Sequence, residues 1–216
     1  MILLIKNMKI VRFVSMGGKM KKIASVLIIV MLGLIAALPA AATQKAAPSK
    51  MKPALLVIDI QNAFLPRMSE QDKKLGMEMI TYYIELFRKN GSPIIRVYHT
   101  DPKNGPKPDS EAFEFPKLVP VKAEDPRIIK NYSNAFNKTN LDSVLKEKGC
   151  NTLFLCGLSA VGCVLATYFG AEDHDYKVFM LKDGLISHDT ALTKAVQEFC
   201  ETISYTPLKL LLENAR

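Results

Sequence analysis

The chain has 216 residues and a formal net charge of +8, from 29 Lys and Arg against 21 Asp and Glu. Six of the basic residues and no acidic one fall within residues 1–42, so the remainder carries +8 less 6, or +2. That near-neutral remainder excludes a nucleic-acid surface built on basic charge, and its length suits one domain with a sizeable core.

Met20-Lys21-Lys22 precedes an apolar run from Ile23 to Leu38, and Ala40-Ala41-Ala42 follows Pro39. A basic start, an apolar stretch and small residues at a cleavage site read as a bacterial secretory signal. The run is short for a membrane span. The expectation is cleavage after Ala42, export to periplasm or medium, and no stable membrane insertion afterwards; an uncleaved anchor is the rival reading. Residues 1–19 read as an upstream extension, with translation starting at Met20, and residues 43–52 as a polar linker ahead of one domain over 53–216.

Ala54 to Ile58 is an unbroken apolar run, the pattern of a central parallel strand covered on both faces. Asp59 falls where that strand ends, and a carboxylate there needs a partner, a cap or a turn to satisfy it. A helix is predicted over Gln71–Lys89, stopped by Asn90-Gly91, and a second strand over Ile94–Tyr98, followed by His99. Residues Asp101 to Pro126 are rich in Pro, Lys and Asp and read as a long surface loop bordering a pocket or a subunit contact. A short strand then ends at Lys130, ahead of Tyr132 and Phe136. A helix over Asn140–Lys148 stops at Gly149, and an apolar strand over Thr152–Cys156 breaks at Gly157.

The segment after that break, Gly157-Leu158-Ser159-Ala160-Val161-Gly162-Cys163, turns into a helical pattern from about Ala160 to Glu172. Cys163 is thereby expected in the first turn of a helix that follows a strand, where free N–H groups and the helix dipole favour thiolate. A strand over Tyr176–Leu181, a helix over Thr190–Phe199 and an edge strand over Thr202–Tyr205 complete the order. Strands alternating with helices predict an α/β fold: a three-layer, doubly wound, mainly parallel sheet with helices on both faces. In such a sheet Asp59, Lys130 and Cys163 all come to the carboxyl edge, where ligands bind. Phe64, Tyr132, Phe136 and Tyr168 are candidates for pocket walls or for core. Of the other cysteines, Cys156 reads as a core thiol, and a Cys150–Cys200 disulfide is left open.

Taken together, these segments resemble the isochorismatase-like cysteine hydrolase family, which includes nicotinamidases and N-carbamoylsarcosine amidohydrolase. The likeness spans residues 53–206 and rests on order and spacing: Asp59 and Gln61; Lys130 ahead of Tyr132, Ser133, Ala135 and Phe136; Thr139 and Leu141; Gly157, Cys163, Val164, Thr167 and Ala171; and Asp183. The resemblance implies a catalytic triad of Asp59, Lys130 and Cys163, with an oxyanion held by the backbone N–H groups of Ser159 and Cys163. It implies a cis peptide at Leu158–Ser159, a small-molecule substrate, no cofactor and a homo-oligomer. Gln61, Phe64, His99, Tyr132 and Phe136 are its candidate pocket residues. The chain departs from the family pattern at Ala160, where a threonine is common. It also lacks the several histidines that metal-dependent nicotinamidases carry after the second strand. Only His99 stands there, beside Asp101, too few ligands for zinc or iron, so no metal is expected. The expected activity is cysteine-dependent, metal-independent hydrolysis of a small amide or other C–N bond. The alternatives are a ligand-binding or thiol-redox protein on the same fold, or a vinyl ether hydrolase of the isochorismatase type.

Overall fold

Six strands pair side by side into one sheet in the computed structural model, which describes residues 50–214. The expected signal segment and residues 43–49 of the expected linker lie outside the described residues. The strands are β1 (Pro53–Ile58), β2 (Ile94–His99), β3 (Arg127–Lys130), β4 (Thr152–Leu158), β5 (Lys177–Ile186) and β6 (Thr202–Ile203). The helices are α1 (Glu70–Lys89), α2 (Leu141–Glu147), α3 (Leu165–Asp173), α4 (Thr190–Phe199) and α5 (Tyr205–Asn214). Every pair is parallel and the spatial order is β3-β2-β1-β4-β5-β6. The chain winds outward from β1 to β3, then returns to lay β4 against the other side of β1. The order thus reverses between β1 and β4, the kind of switch point at whose carboxyl ends ligands bind in open parallel sheets.

Alternate side chains of β1 feed opposite layers. Ala54, Leu56 and Ile58 pack with Leu141, Leu145, Tyr168 and Val196, on the side of α2, α3 and α4. Leu55 and Val57 pack with Ile80, Tyr83, Phe87, Leu208 and Leu212, on the side of α1 and α5. With all five of its apolar side chains fully buried, β1 needs hydrophobicity on both faces, which is why its sequence does not alternate.

Three features differ from the sequence reading. The strand expected to end at Leu181 runs on to Ile186. Its pairing with β4 jumps between Leu155 and Gly157, so residues 182–184 bulge; Asp183 takes φ 63° and Gly184 lies under the Tyr83 ring. The expected edge strand over Thr202–Tyr205 is only two residues long, because Tyr205 opens α5. Leu208 and Leu212, four apart on one helical face, bury that helix. The loop over residues 101–126 is more than a surface excursion. Phe113 and Phe115 are buried, with ring centroids 5.0 and 4.2 Å from that of Tyr98 on β2. Arg88 of α1 clasps Asp125 through both terminal guanidinium nitrogens, at 3.1 and 2.8 Å.

Candidate active site at the switch between two strands

At the carboxyl end of β1 the chain turns abruptly. Asp59 adopts φ 53°, a left-handed conformation that few non-glycine residues take. Its N–H still donates to the Val97 carbonyl at 2.9 Å, so the turn is anchored to the neighbouring strand. Gly157 of β4 lies directly alongside. A β-carbon there would sit 2.0 Å from the Ile58 carbonyl oxygen, and φ is 116°, so only glycine lets the two strand ends close in. The Asp59 carboxyl is 2 % exposed.

Lys130 arrives from β3, two strands away. Its register partner on β2 is His99. The Lys130 side chain is wholly buried, and Nζ donates to Asp59 Oδ2 at 2.6 Å. The same Nζ lies 3.3 Å from His99 Nδ1. The other carboxylate oxygen, Asp59 Oδ1, is buried without a hydrogen-bond partner.

Cys163 completes the cluster. The Leu158–Ser159 peptide is cis. The Ser159 carbonyl accepts from the N–H groups of both Gly162 and Val164, at 2.9 and 3.2 Å, closing a wide turn over Ala160–Val164. Gly162 interrupts it at φ −118° and ψ −105°, and the regular helix α3 starts only at Leu165. Cys163 therefore stands in this turn, not in the first turn of a regular helix as its pattern suggests. Thr167, fully buried on α3, accepts the Ala135 N–H at 3.1 Å. That bond ties the helix behind Cys163 to the segment that follows Lys130. A ligating-type atom from each of Asp59, His99 and Cys163 lies within 4.8 Å of the other two.

Burial dominates the electrostatics. It pushes the Asp59 carboxyl above its ordinary range, against the pull of Lys130. Burial, followed by the charge of Asp59, pushes the Cys163 thiol up to about 11, with Lys130 opposing. The thiolate expected from a helix terminus is thus overridden by desolvation and a facing carboxylate.

The remaining candidates divide. Gln61 does not line a pocket: it is fully buried, its Nε2 donates to the His99 carbonyl at 3.1 Å, and its Oε1 accepts the His99 N–H at 2.7 Å. Phe64 is half-buried, its ring 6.0 Å from that of His99. Tyr132 is 42 % exposed and its hydroxyl accepts from Lys138 at 3.0 Å. Phe136 is a core residue, stacked on His174 at 4.6 Å, and Tyr168 is buried with its hydroxyl accepting the Glu201 N–H. All four cysteines are free, so Cys150 and Cys200 are not bridged. The residue that sequence reasoning undervalued is His99. Its contact with Lys130 follows from the β2–β3 register, which no local pattern reveals.

Thiol, imidazole and carboxylate are all zinc-ligand types. Here, however, these groups already share a cation. The Lys130 ammonium hydrogen-bonds Asp59 and contacts His99 Nδ1. A divalent ion among the three would meet that buried ammonium at close range, so the residues do not fit a metal site.

Residues 53–206 match the isochorismatase domain, and the chain belongs to the isochorismatase family. This places it among hydrolases with a six-stranded parallel α/β fold. Among curated relatives it is 30 % identical over 138 residues to an uncharacterised isochorismatase family protein, YddQ of Bacillus subtilis (strain 168), covering 62 % of this chain and 77 % of that one. It is 30 % identical over 147 residues to a probable inactive nicotinamidase of Arabidopsis thaliana, covering 57 % and 74 %. Among solved structures it resembles the N-carbamoylsarcosine amidase of Thermoplasma acidophilum, at 25 % identity and TM-score 0.63, over 71 % of this chain and 95 % of that one. It also resembles in fold a pyrazinamidase of Pyrococcus horikoshii in complex with zinc, at 22 % identity and TM-score 0.63, over 71 % and 99 %.

Proposed function

We propose that this chain hydrolyses a small amide or related C–N bond through a thioester on Cys163, without a metal. The observation that carries the reading is the Lys130 ammonium, wholly buried and bonded to the Asp59 carboxylate, in a cluster that brings the Cys163 sulfur within 4.8 Å of an Asp59 oxygen and a His99 ring nitrogen. A buried lysine with no structural partner other than reactive groups is costly unless it stabilises a charge that moves.

In this reading Asp59 takes the thiol proton as Cys163 Sγ attacks the carbonyl carbon. Its raised proton affinity suits it to that task, and the raised thiol makes the base necessary. The carbonyl π pair moves onto oxygen, which the Ser159 and Cys163 N–H groups hold. Collapse of the tetrahedral adduct breaks the C–N bond, and Asp59 gives its proton to the departing amine. Water then attacks the thioester, Asp59 takes its proton, and Cys163 leaves as a thiolate paired with Lys130 until the proton returns. The acid product and the amine balance the amide and one water.

The same electrostatics weigh against a thiol-redox role, because oxidation follows thiolate character and both burial and the facing Asp59 oppose the thiolate here. The relationship to an amidase supports C–N chemistry, and the likeness to a probable inactive nicotinamidase makes turnover the first thing to measure. Ammonia release should be followed across small amides, ureas and carbamoyl compounds, with mass spectrometry of quenched enzyme. An acyl adduct on Cys163 with ammonia release is expected. Turnover by Cys163→Ala equal to that of the wild type would overturn the reading.

A further inference from the structure

His99 occupies the centre of the site, yet the chemistry above gives it no task. Its backbone is gripped at both polar atoms by the buried Gln61 amide, and its ring packs near Phe64. A fully buried glutamine that spends both ends of its amide on one residue's backbone fixes where that residue's ring can stand. The ring brings Nδ1 to 3.3 Å from Lys130 Nζ. An ammonium carries only donors, so a hydrogen bond between these atoms requires Nδ1 to accept. The imidazole is then neutral, with its proton on Nε2. Burial, followed by the charge of Lys130, holds His99 below its ordinary range, while Asp59 and Asp101 pull the other way. The groups facing the ring are therefore Lys130, Asp59, the Cys163 thiol and Asp101.

We propose that His99 is a positioning residue: its neutral imidazole accepts from Lys130 at Nδ1 and, with Asp59, fixes the ammonium against the Cys163 thiol. The inference rests on the Asp59–Lys130–Cys163 reading and deepens it. A lysine stem is flexible, and one acceptor would leave its head free to swing about a single bond. Two acceptors, from the end of β1 and from β2, leave it one place to stand. That leaves a third N–H for the sulfur, which lies within 4.8 Å of an Asp59 oxygen and a His99 ring nitrogen. Gln61 acts at one remove, by holding His99.

The test uses iodoacetamide as the probe, so it needs no substrate. Its rate of reaction with Cys163 is measured against pH for the wild type, Lys130→Ala, His99→Leu and His99→Asn, with the labelled peptide identified and thermal unfolding recorded for each. Asparagine keeps an acceptor oxygen near the place of Nδ1; leucine keeps bulk without an acceptor. His99→Leu should label about tenfold more slowly at neutral pH, the size of one charge-assisted hydrogen bond, and approach Lys130→Ala. His99→Asn should stay within about twofold of the wild type, as rescue of that bond demands. Labelling of His99→Leu at the wild-type rate, or equal slowing in both His99 variants, overturns the proposal. If Lys130→Ala itself labels like the wild type, it is the triad that fails. Should His99→Leu not fold, nitrogen NMR of the wild-type imidazole decides: an Nε2–H tautomer with a hydrogen-bonded Nδ1 is expected, and an Nδ1–H tautomer refutes the inference.

Discussion

Two carboxylates in this molecule each pair with a buried or half-buried cation, and they respond in opposite directions. Asp125 receives two bonds from Arg88 and one from the Lys122 N–H. Burial pushes its carboxyl up, but those donors prevail and hold it below the usual range. Asp59 has one strong donor, Lys130, and an Oδ1 with no partner; burial prevails there and the carboxyl is raised. The difference lies in donors per carboxylate and access to water, not in whether a cation is present. A saturated carboxylate is a clip that holds charge. An undersupplied one keeps an appetite for a proton, which is what a base needs.

Four outcomes would break or sharpen that contrast. The largest effect belongs to Cys163→Ala, which should abolish amide turnover while the protein unfolds at an unchanged temperature; assays of ammonia release beside a thermal melt check it. Next, Asp59→Asn should lower turnover about 10²–10⁴-fold, the usual scale for a lost general base, measured as kcat with a substrate found in the panel. Asp125→Ala should do the reverse. It should destabilise the protein by about 1–3 kcal/mol in urea unfolding, by stranding Arg88 and the Lys122 N–H, with Cys163 labelling unmoved.

The smallest effect is in pH dependence, and its sign separates the two groups. Asp125 is depressed in the folded state, so its contribution is present above the unfolded carboxylate pKa and is lost as pH falls toward the folded value. Asp59 is raised, so its ionisation opposes folding as pH climbs from the unfolded pKa through the folded one. Comparing stability at pH 3–5 for the wild type and Asp125→Asn should therefore show a steeper acid loss in the wild type. A parallel pair of curves would mean that Asp125 is not held low.

How much of this was legible beforehand follows the same physics. The apolar runs at Ala54–Ile58 and Thr152–Cys156 announce buried parallel strands, because a strand covered on both faces cannot alternate. Asp59 and Gly157 announce themselves as breaks in those runs. Position alone leaves Lys130 an ordinary strand-end charge; only its company with Asp59 and Cys163 lifts it out. The grip of Gln61 on His99 joins residues 38 apart and depends on strand register, so neither local pattern nor the family likeness, which offers Gln61 as a pocket residue, reveals it. The wide turn before α3 carries a helical pattern because Ala160 and Val164 keep helical spacing, while Gly162 permits the interruption. Local pattern does not announce the last helix, because Thr202–Tyr205 is rich in β-formers and the pair Leu208 and Leu212 is too short a pattern to overrule them.

The central claim is that Asp59, Lys130 and Cys163 titrate as one coupled unit, with the carboxylate opposing the thiolate and the ammonium favouring it. The direct measurement is the pH midpoint of Cys163 alkylation in the wild type, Asp59→Asn and Lys130→Ala. The account predicts a wild-type midpoint well above that of an ordinary thiol, near the value of about 11 set by burial and Asp59. It predicts a lower midpoint in Asp59→Asn, whose amide turnover is nonetheless lost, and a higher one in Lys130→Ala. Midpoints that coincide in all three proteins, or that move the other way, would contradict it.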